Sequence, residues 1–208
     1  MESINNVVLI TDLKPIRRFF VKSGENKTFV LFLAKKGNLQ GRLEIIIRGK
    51  NADIRILGII IGSLNQKISL YTFQDHQKEG SVSDLLIKSV LFNNSRLSYE
   101  GLIRISRGAQ KSNAYQKNQN LLMSPTSMAD SRPKLEILAN DVRCTHGATV
   151  GKIDPEILYY LGSRGISQNT AEKLVIEGFF KDVLDRIRDK KIESYLTAEI
   201  NKSLENIK

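Results

Sequence analysis

The chain has 208 residues, with 32 Lys and Arg against 22 Asp and Glu, two His, one Cys and no Trp. One cysteine excludes an intrachain disulfide framework, and one Cys with two His cannot close a four-ligand zinc site. The formal charge of +10 lies wholly in residues 1–150, where 22 basic side chains face 12 acidic ones. At 41% hydrophobic residues, with no apolar run near the roughly 18 residues of a membrane span and no signal-peptide pattern in Met1–Asn6, the expectation is a cytosolic globular protein.

From Thr28 to about Val142 the apolar residues recur in short, mostly period-2 runs, which predicts strands. Thr28–Leu33 opens the series, and Leu43–Arg48 and Asp53–Gly62 follow. Lys67–Phe73 alternates cleanly, and further runs occupy Leu85–Phe92, Leu97–Ser106 and Lys134–Leu138. Gly49, Gly62, Gly80, Asn93-Asn94 and Gly108 punctuate them. Strands this short and apolar on both sides, as at Ile59-Ile60-Ile61, joined without Asn-Gly hairpins, favour a stacked solenoid over a sandwich. Residues 107–133 are the least hydrophobic stretch, and their composition predicts a long loop or linker. Arg42, Arg48, Lys50, Arg55, Lys67, Lys78, Lys88, Arg96 and Arg104 are scattered singly among apolar residues, as on a solvated sheet face. A basic body can also serve a nucleic acid or another polyanion. The scatter, the 7% aromatic content and the lack of Trp count against that.

After Gly151 the period becomes helical. Asp154-Pro155 reads as an N-cap with proline in the first turn. Ser167 starts a second helix whose Ala171, Leu174, Val175, Gly178 and Phe179 share one side, and Ile192, Tyr195, Leu196 and Leu204 line a third. The wide apolar stripe of this charge-neutral unit is expected to pack on the β region or on a partner. The predicted division is a β core over 1–150 and a helical domain over 151–208.

No phosphate loop, dinucleotide fingerprint, H-E-x-x-H or C-x-x-C motif occurs, and Gly147–Gly151 reads as a small-residue turn. The one chemically loaded segment is Asp141-Val-Arg-Cys144-Thr-His146-Gly. On a strand, Cys144 and His146 project from one face. They suit a soft or borderline metal as half a site, or form a Cys–His nucleophile. Alternatively, Cys144 is a small buried hydrophobe and His146 caps the turn. If they bind metal, other ligands must come from elsewhere. His76 reads as a surface histidine at a polar strand end.

The run Arg132–Asp154, with Arg-Cys-Thr-His-Gly-Ala-Thr at its centre, resembles the signature of the SufB/SufD family of iron–sulfur cluster assembly scaffolds. Leu158-Tyr-Tyr-Leu-Gly-Ser-Arg-Gly, Ser95–Ile105 and Gly108–Gln116 fit the same pattern, and the likeness extends from about His76 to Ile187. The Cys-Thr-His-Gly-Ala-Thr form resembles the SufD branch. The resemblance implies a mainly β protein: a parallel β-helix core with a small C-terminal α-helical domain, with residues 107–133 inside its coils. It further implies pairing with a SufB-like paralogue, docking of a SufC-like ABC ATPase on the helices, and a transient iron–sulfur cluster at the subunit interface with no turnover of its own. In that reading His146 is the interface ligand, Cys144 either a second ligand or its structural neighbour, Asp141 and Thr145 orient their strand, and Tyr159, Tyr160 and Arg164 dock the ATPase. Family members are typically longer, so the N-terminal helical region is expected to be missing and the solenoid short.

Overall fold

A computed structural model describes residues 6–205. Eleven strands, β1 (Val7–Ile10), β2 (Arg17–Val21), β3 (Asn26–Leu33), β4 (Leu39–Ile47), β5 (Asp53–Gly62), β6 (Lys67–His76), β7 (Val82–Leu91), β8 (Arg96–Ile105), β9 (Asn113–Leu122), β10 (Met128–Ile137) and β11 (Arg143–Gly151), precede three helices, α1 (Pro155–Ser163), α2 (Gln168–Leu184) and α3 (Lys190–Glu205). Odd strands form one parallel sheet in the order β1-β3-β5-β7-β9-β11, and even strands form the other, β10-β8-β6-β4-β2. The chain therefore winds between two facing sheets as a parallel β-helix. Register partners Asn26, Asp53, Val82, Asn113 and Arg143 mark coils of 27, 29, 31 and 30 residues.

Each inward side chain rests on its equivalents about 4.8 Å away in the neighbouring coils. Phe29, Ile56 and Leu85 form one such column and meet Ile45, Ile68 and Leu70 of the opposite sheet in the main core. The odd sheet is apolar on its outer face too. Val30, Leu57, Ile59, Leu86 and Val90 pack there against Ile176, Phe180 and Val183 of α2 and Leu196 and Ile200 of α3. This three-layer burial explains why β3, β5 and β7 read as continuous apolar runs. It also answers the wide helical stripe, which packs on the β region.

Asp154 caps α1 by accepting from Glu156 N, and Ser167 caps α2 by accepting from Thr170 N. Asp189, passed over in the sequence, caps α3 by accepting from the Lys191 and Ile192 amides.

Several expectations are corrected. Strands β1 and β2 precede Thr28, where the period-2 reading began. Residues 107–133 are no loop: β9 and the first half of β10 run through them. Their polarity reflects amides turned inward, since Gln116, Asn118 and Asn120 are buried. Gly147–Gly151 lies within β11, not in a turn. His76 is wholly buried, its Nε2 against Ser83 Oγ at 2.8 Å. Lys88 is only 6% exposed. It donates to Phe179 O of α2 at 2.8 Å and pairs with Asp182 at 3.2 Å, while Arg186, in the turn just after that helix, joins Asp182 to Asp84 of β7.

At one solenoid edge asparagines tie successive turns together, Asn93 Oδ1 accepting from Leu64 N and Asn94 Nδ2 donating to Asn65 Oδ1. At the other, Gly49 sits so close beneath the preceding turn that a Cβ would lie 1.9 Å from Ser23 N. Gly49→Ala forces backbone against backbone and should lower the unfolding free energy by about 3 kcal/mol, read as a fall in the urea midpoint.

Desolvation lowers the His76 pKa from 6.5 to about 4, the nearby Asp75 charge opposing it. The unfolded chain therefore binds a proton near 6.5 that the folded chain refuses until about 4. Stability from this group is full above 6.5 and falls as pH drops through that window, by roughly 3 kcal/mol in all. The difference in unfolding free energy between the wild type and His76→Gln should trace that slope; parallel pH curves would refute it.

Candidate functional site

The last half-coil, β11, is hydrogen-bonded to β9 on one side only, and β10 likewise borders only β8. This end of the solenoid thus presents two open strand edges. They differ in chemistry. β10 carries Pro133, which has no N–H to offer, beside Arg132 and Lys134, the devices that blunt an edge. β11, Arg-Cys-Thr-His-Gly-Ala-Thr-Val-Gly, has neither proline nor lysine and only Arg143 at its start. Ile137, Leu138 and Val150 are 41%, 54% and 47% exposed around it.

Register places Cys144 on Ala114 and His146 on Gln116. Both therefore continue inward columns, Ser83–Ala114–Cys144 and Leu85–Gln116–His146. Cys144 is half-buried and packs on a small cluster with Ile103, Ile105 and Ala114. Burial pushes its thiol pKa up, which disfavours the thiolate that a nucleophile or metal ligand requires. His146 is exposed, and no protein group hydrogen-bonds its ring among the described residues. The structure thus brings the thiol and the imidazole to one side of one strand, in the last coil. It offers no fuller site: no group of three or more His, Cys, Asp and Glu is gathered among the described residues.

Thr145 alternates to the opposite face and sits in register with Tyr115, away from the Cys144–His146 side. Asp141 lies in the turn before β11, where its N–H donates to Gln110 Oε1 and its carbonyl accepts from Lys111 N. That bonding fixes the entry to the strand. Tyr159, Tyr160 and Arg164 do come together, on and just after α1. The two tyrosines are 80% and 57% exposed, and the Arg164 guanidinium lies 5.4 Å from the Tyr160 ring centre. α1 buries none of its own residues; Leu158 and Leu161 are partly covered while Ile157, Tyr159 and Tyr160 stay exposed.

The sequence reading missed the polar interior beneath the site. Gln116, Asn118 and Asn120 on β9 are all buried, with Gln74 and His76 across from them on β6. Only the alternation of Asn-Ala-Tyr-Gln-Lys-Asn-Gln-Asn, with every second residue an amide, signalled it.

Several of the scattered basic residues are tied down on the sheet surface by carboxylates and aromatic rings. On the even sheet Arg18 and Arg42 reach Glu44, and Arg104 grips Asp75 through two nitrogens at 2.9 and 2.8 Å. Arg42, Arg48 and Arg104 also lie over the rings of Tyr71, Phe20 and Phe73. These arginines hold the sheet surface together.

Residues 20–179 match the family described as SUF system FeS cluster assembly, SufBD core domain. The chain is 35% identical over 158 residues to the iron-sulfur cluster assembly protein SufD of Escherichia coli (strain K12), covering 76% of this chain and 37% of that one. It is 32% identical over 146 residues to the SufD protein of Bacillus subtilis (strain 168), covering 70% and 33%. A third relative, the chloroplastic protein ABCI7 of Arabidopsis thaliana, is 32% identical over 129 residues, covering 62% and 26%. The chain thus spans about a third of the length of the curated relatives it matches.

Because Cys144 is the sole thiol, its reactivity can be read directly. Alkylation at neutral pH should run at least about tenfold slower in the folded chain than after denaturation, and His146→Ala should leave that rate unchanged. A fast, His146-dependent reaction would instead reveal an activated nucleophile.

Proposed function

The chain belongs to the SufBD core family of the SUF iron–sulfur cluster assembly system, as a SufD-like member, and from that premise we propose that it is a non-catalytic scaffold subunit on which a nascent cluster is held. The observation that carries the proposal is the placing of His146 and Cys144 on the inward side of β11, beside an unblocked strand edge. One imidazole and one thiol are too few ligands for a cluster, so the remainder must arrive with a second subunit or with sulfide. The open edge of β11 is where a second β-helix would add its own strand, backbone to backbone. A SufB-like paralogue is the proposed partner, with a second copy of this chain as the alternative.

In this arrangement His146 offers a ring nitrogen to iron. Its ligation requires the neutral imidazole. Cys144 is the secondary ligand, since its half-buried thiol must lose a proton that burial helps it keep. The unpartnered outer side of α1, with Tyr159, Tyr160 and Arg164, is the proposed seat of a SufC-like ABC ATPase. Movement there would reach the odd sheet through α2, whose Asp182 and Phe179 are gripped by Lys88. No described helix is long and apolar enough to cross a membrane, and the proposed compartment is the cytoplasm.

An anaerobic pull-down of the tagged chain from its native extract tests the proposal. Recovery of an ATP-binding-cassette subunit and a cysteine-bearing SufB-like chain is expected, with iron and sulfide retained. His146→Ala should keep both partners and lose roughly tenfold or more of the iron. Tyr159→Ala with Tyr160→Ala should lose the ATPase and keep the paired scaffold. Nuclease-sensitive nucleic acid in place of these partners would overturn the assignment in favour of a polyanion-binding role.

A further inference from the structure

We propose that the outer face of the even sheet carries a phosphate-binding site built around Arg42, toward the end of the stack remote from His146. A cavity of about 490 Å³ opens there, lined by Pro15, Gln40, Gly41, Arg42, Ser69 and Tyr71. Its volume is ordinary for a small-molecule site. Register sets Gln40 beside Ser69 and Arg42 beside Tyr71, so four outward side chains stand at the corners of one square, two strands wide. The remaining wall is the segment between β1 and β2. It lies so close to Gly41 that a Cβ there would stand 2.2 Å from Lys14 O, and that carbonyl accepts from Arg42 N at 3.2 Å.

Arg42 is held in place and still has hydrogen bonds to give. Its guanidinium carbon lies 4.1 Å from the centre of the Tyr71 ring, and its Nε is 3.3 Å from Glu44 Oε1. Ring and carboxylate together restrain the guanidinium. Its two terminal nitrogens donate to no protein group among the described residues, and a planar guanidinium is suited to gripping an oxyanion through two N–H groups at once. The Gln40 carboxamide and the Ser69 and Tyr71 hydroxyls also lack a protein partner among the described residues. Four side chains around one concavity thus have donors to offer a ligand.

Charge selects phosphate over carboxylate. Glu44 is shared by Arg18 and Arg42, while Asp12, in the segment that walls the cavity, is shared by Lys14 and Arg17. Each carboxylate answers two cations, which leaves the neighbourhood with two positive charges in excess. Glu100, beside Tyr71 on the next strand, is taken by Lys134 at 2.9 Å. A phosphate group at neutral pH brings close to two negative charges and matches that excess, as a singly charged carboxylate does not. The ligand is free phosphate, or a phosphorylated small molecule whose body fills the rest of the cavity.

Titration of the full chain with inorganic phosphate and with phenyl phosphate, at fixed ionic strength, tests the site through backbone amide shifts. Both probes should move the amides of Gly41, Arg42, Ser69 and Tyr71 to saturation and leave those of β9 and β11 in place. Acetate should bind at least about tenfold more weakly. Tighter binding of phenyl phosphate assigns the cavity to a phosphorylated small molecule, and equal binding assigns it to free phosphate. Arg42→Lys keeps the charge but loses the planar fork, and should weaken either probe roughly tenfold. Wild-type shifts that never saturate, or that spread over the basic residues at large, would overturn the proposal without any variant. So would an Arg42→Lys chain, shown to be folded by unchanged β9 amides, that binds phosphate as well as the wild type. No reading here involves iron or a partner subunit, so the site stands or falls apart from the assembly role.

Discussion

In-register parallel stacking governs this molecule. Every inward residue lies on the equivalent residue of the coil before it, so a substitution is judged by its column more than by its sequence neighbours. Columns of like residues gain most: aliphatic side chains interdigitate, and asparagines at the turns bond the next turn's backbone amide or its asparagine side chain. The stack also sets where polarity can enter. An amide in the middle of an apolar column strands its hydrogen bonds, whereas amides gathered in neighbouring columns at one level can serve each other. Gln74, Gln116, Asn118 and Asn120 do this near the open end.

The helical layer obeys the same constraint from outside. α2 and α3 lie on the outer face of the odd sheet, which must therefore be apolar on both sides. Among the described residues the even sheet has no such cover, and its outer face carries arginines over aromatic rings and against carboxylates. Lys88 is the exception on the covered side. A flat aliphatic face gives a helix little reason to settle at one position, and a buried amine matched to one carbonyl and one carboxylate supplies such a reason.

Much of this was legible in the sequence, and for physical reasons. Period-2 runs without hairpin signals pointed to a solenoid, and caps at Asp154 and Ser167 marked two helix starts because both act within a few residues. The failures share one cause. His76, Lys88 and the stretch over 107–133 were read by local polarity, yet each is decided by what lies a coil away or across the core. His76 looked like a surface residue beside Gln74-Asp75, and it is buried because Ser83 sits opposite. Residues 113–122 looked like a linker because their inward positions are amides. For the site, placing Cys144 and His146 on one face followed from strand alternation alone. The open edge, the blocked β10 beside it and the amides beneath could be seen only once the coils were stacked.

The coil lengths of 27 to 31 residues have a bearing on how such a chain can change. One residue added within a strand turns every side chain beyond it to the wrong face and breaks all the columns at once. One added in a turn shifts nothing but the turn. Gain or loss of a whole coil leaves each surviving column intact and merely alters its height. Size in this architecture is therefore quantised. Small drift collects at the corners, large steps come in whole circuits of the helix, and the terminal coil with its histidine can ride unchanged on a stack of any height.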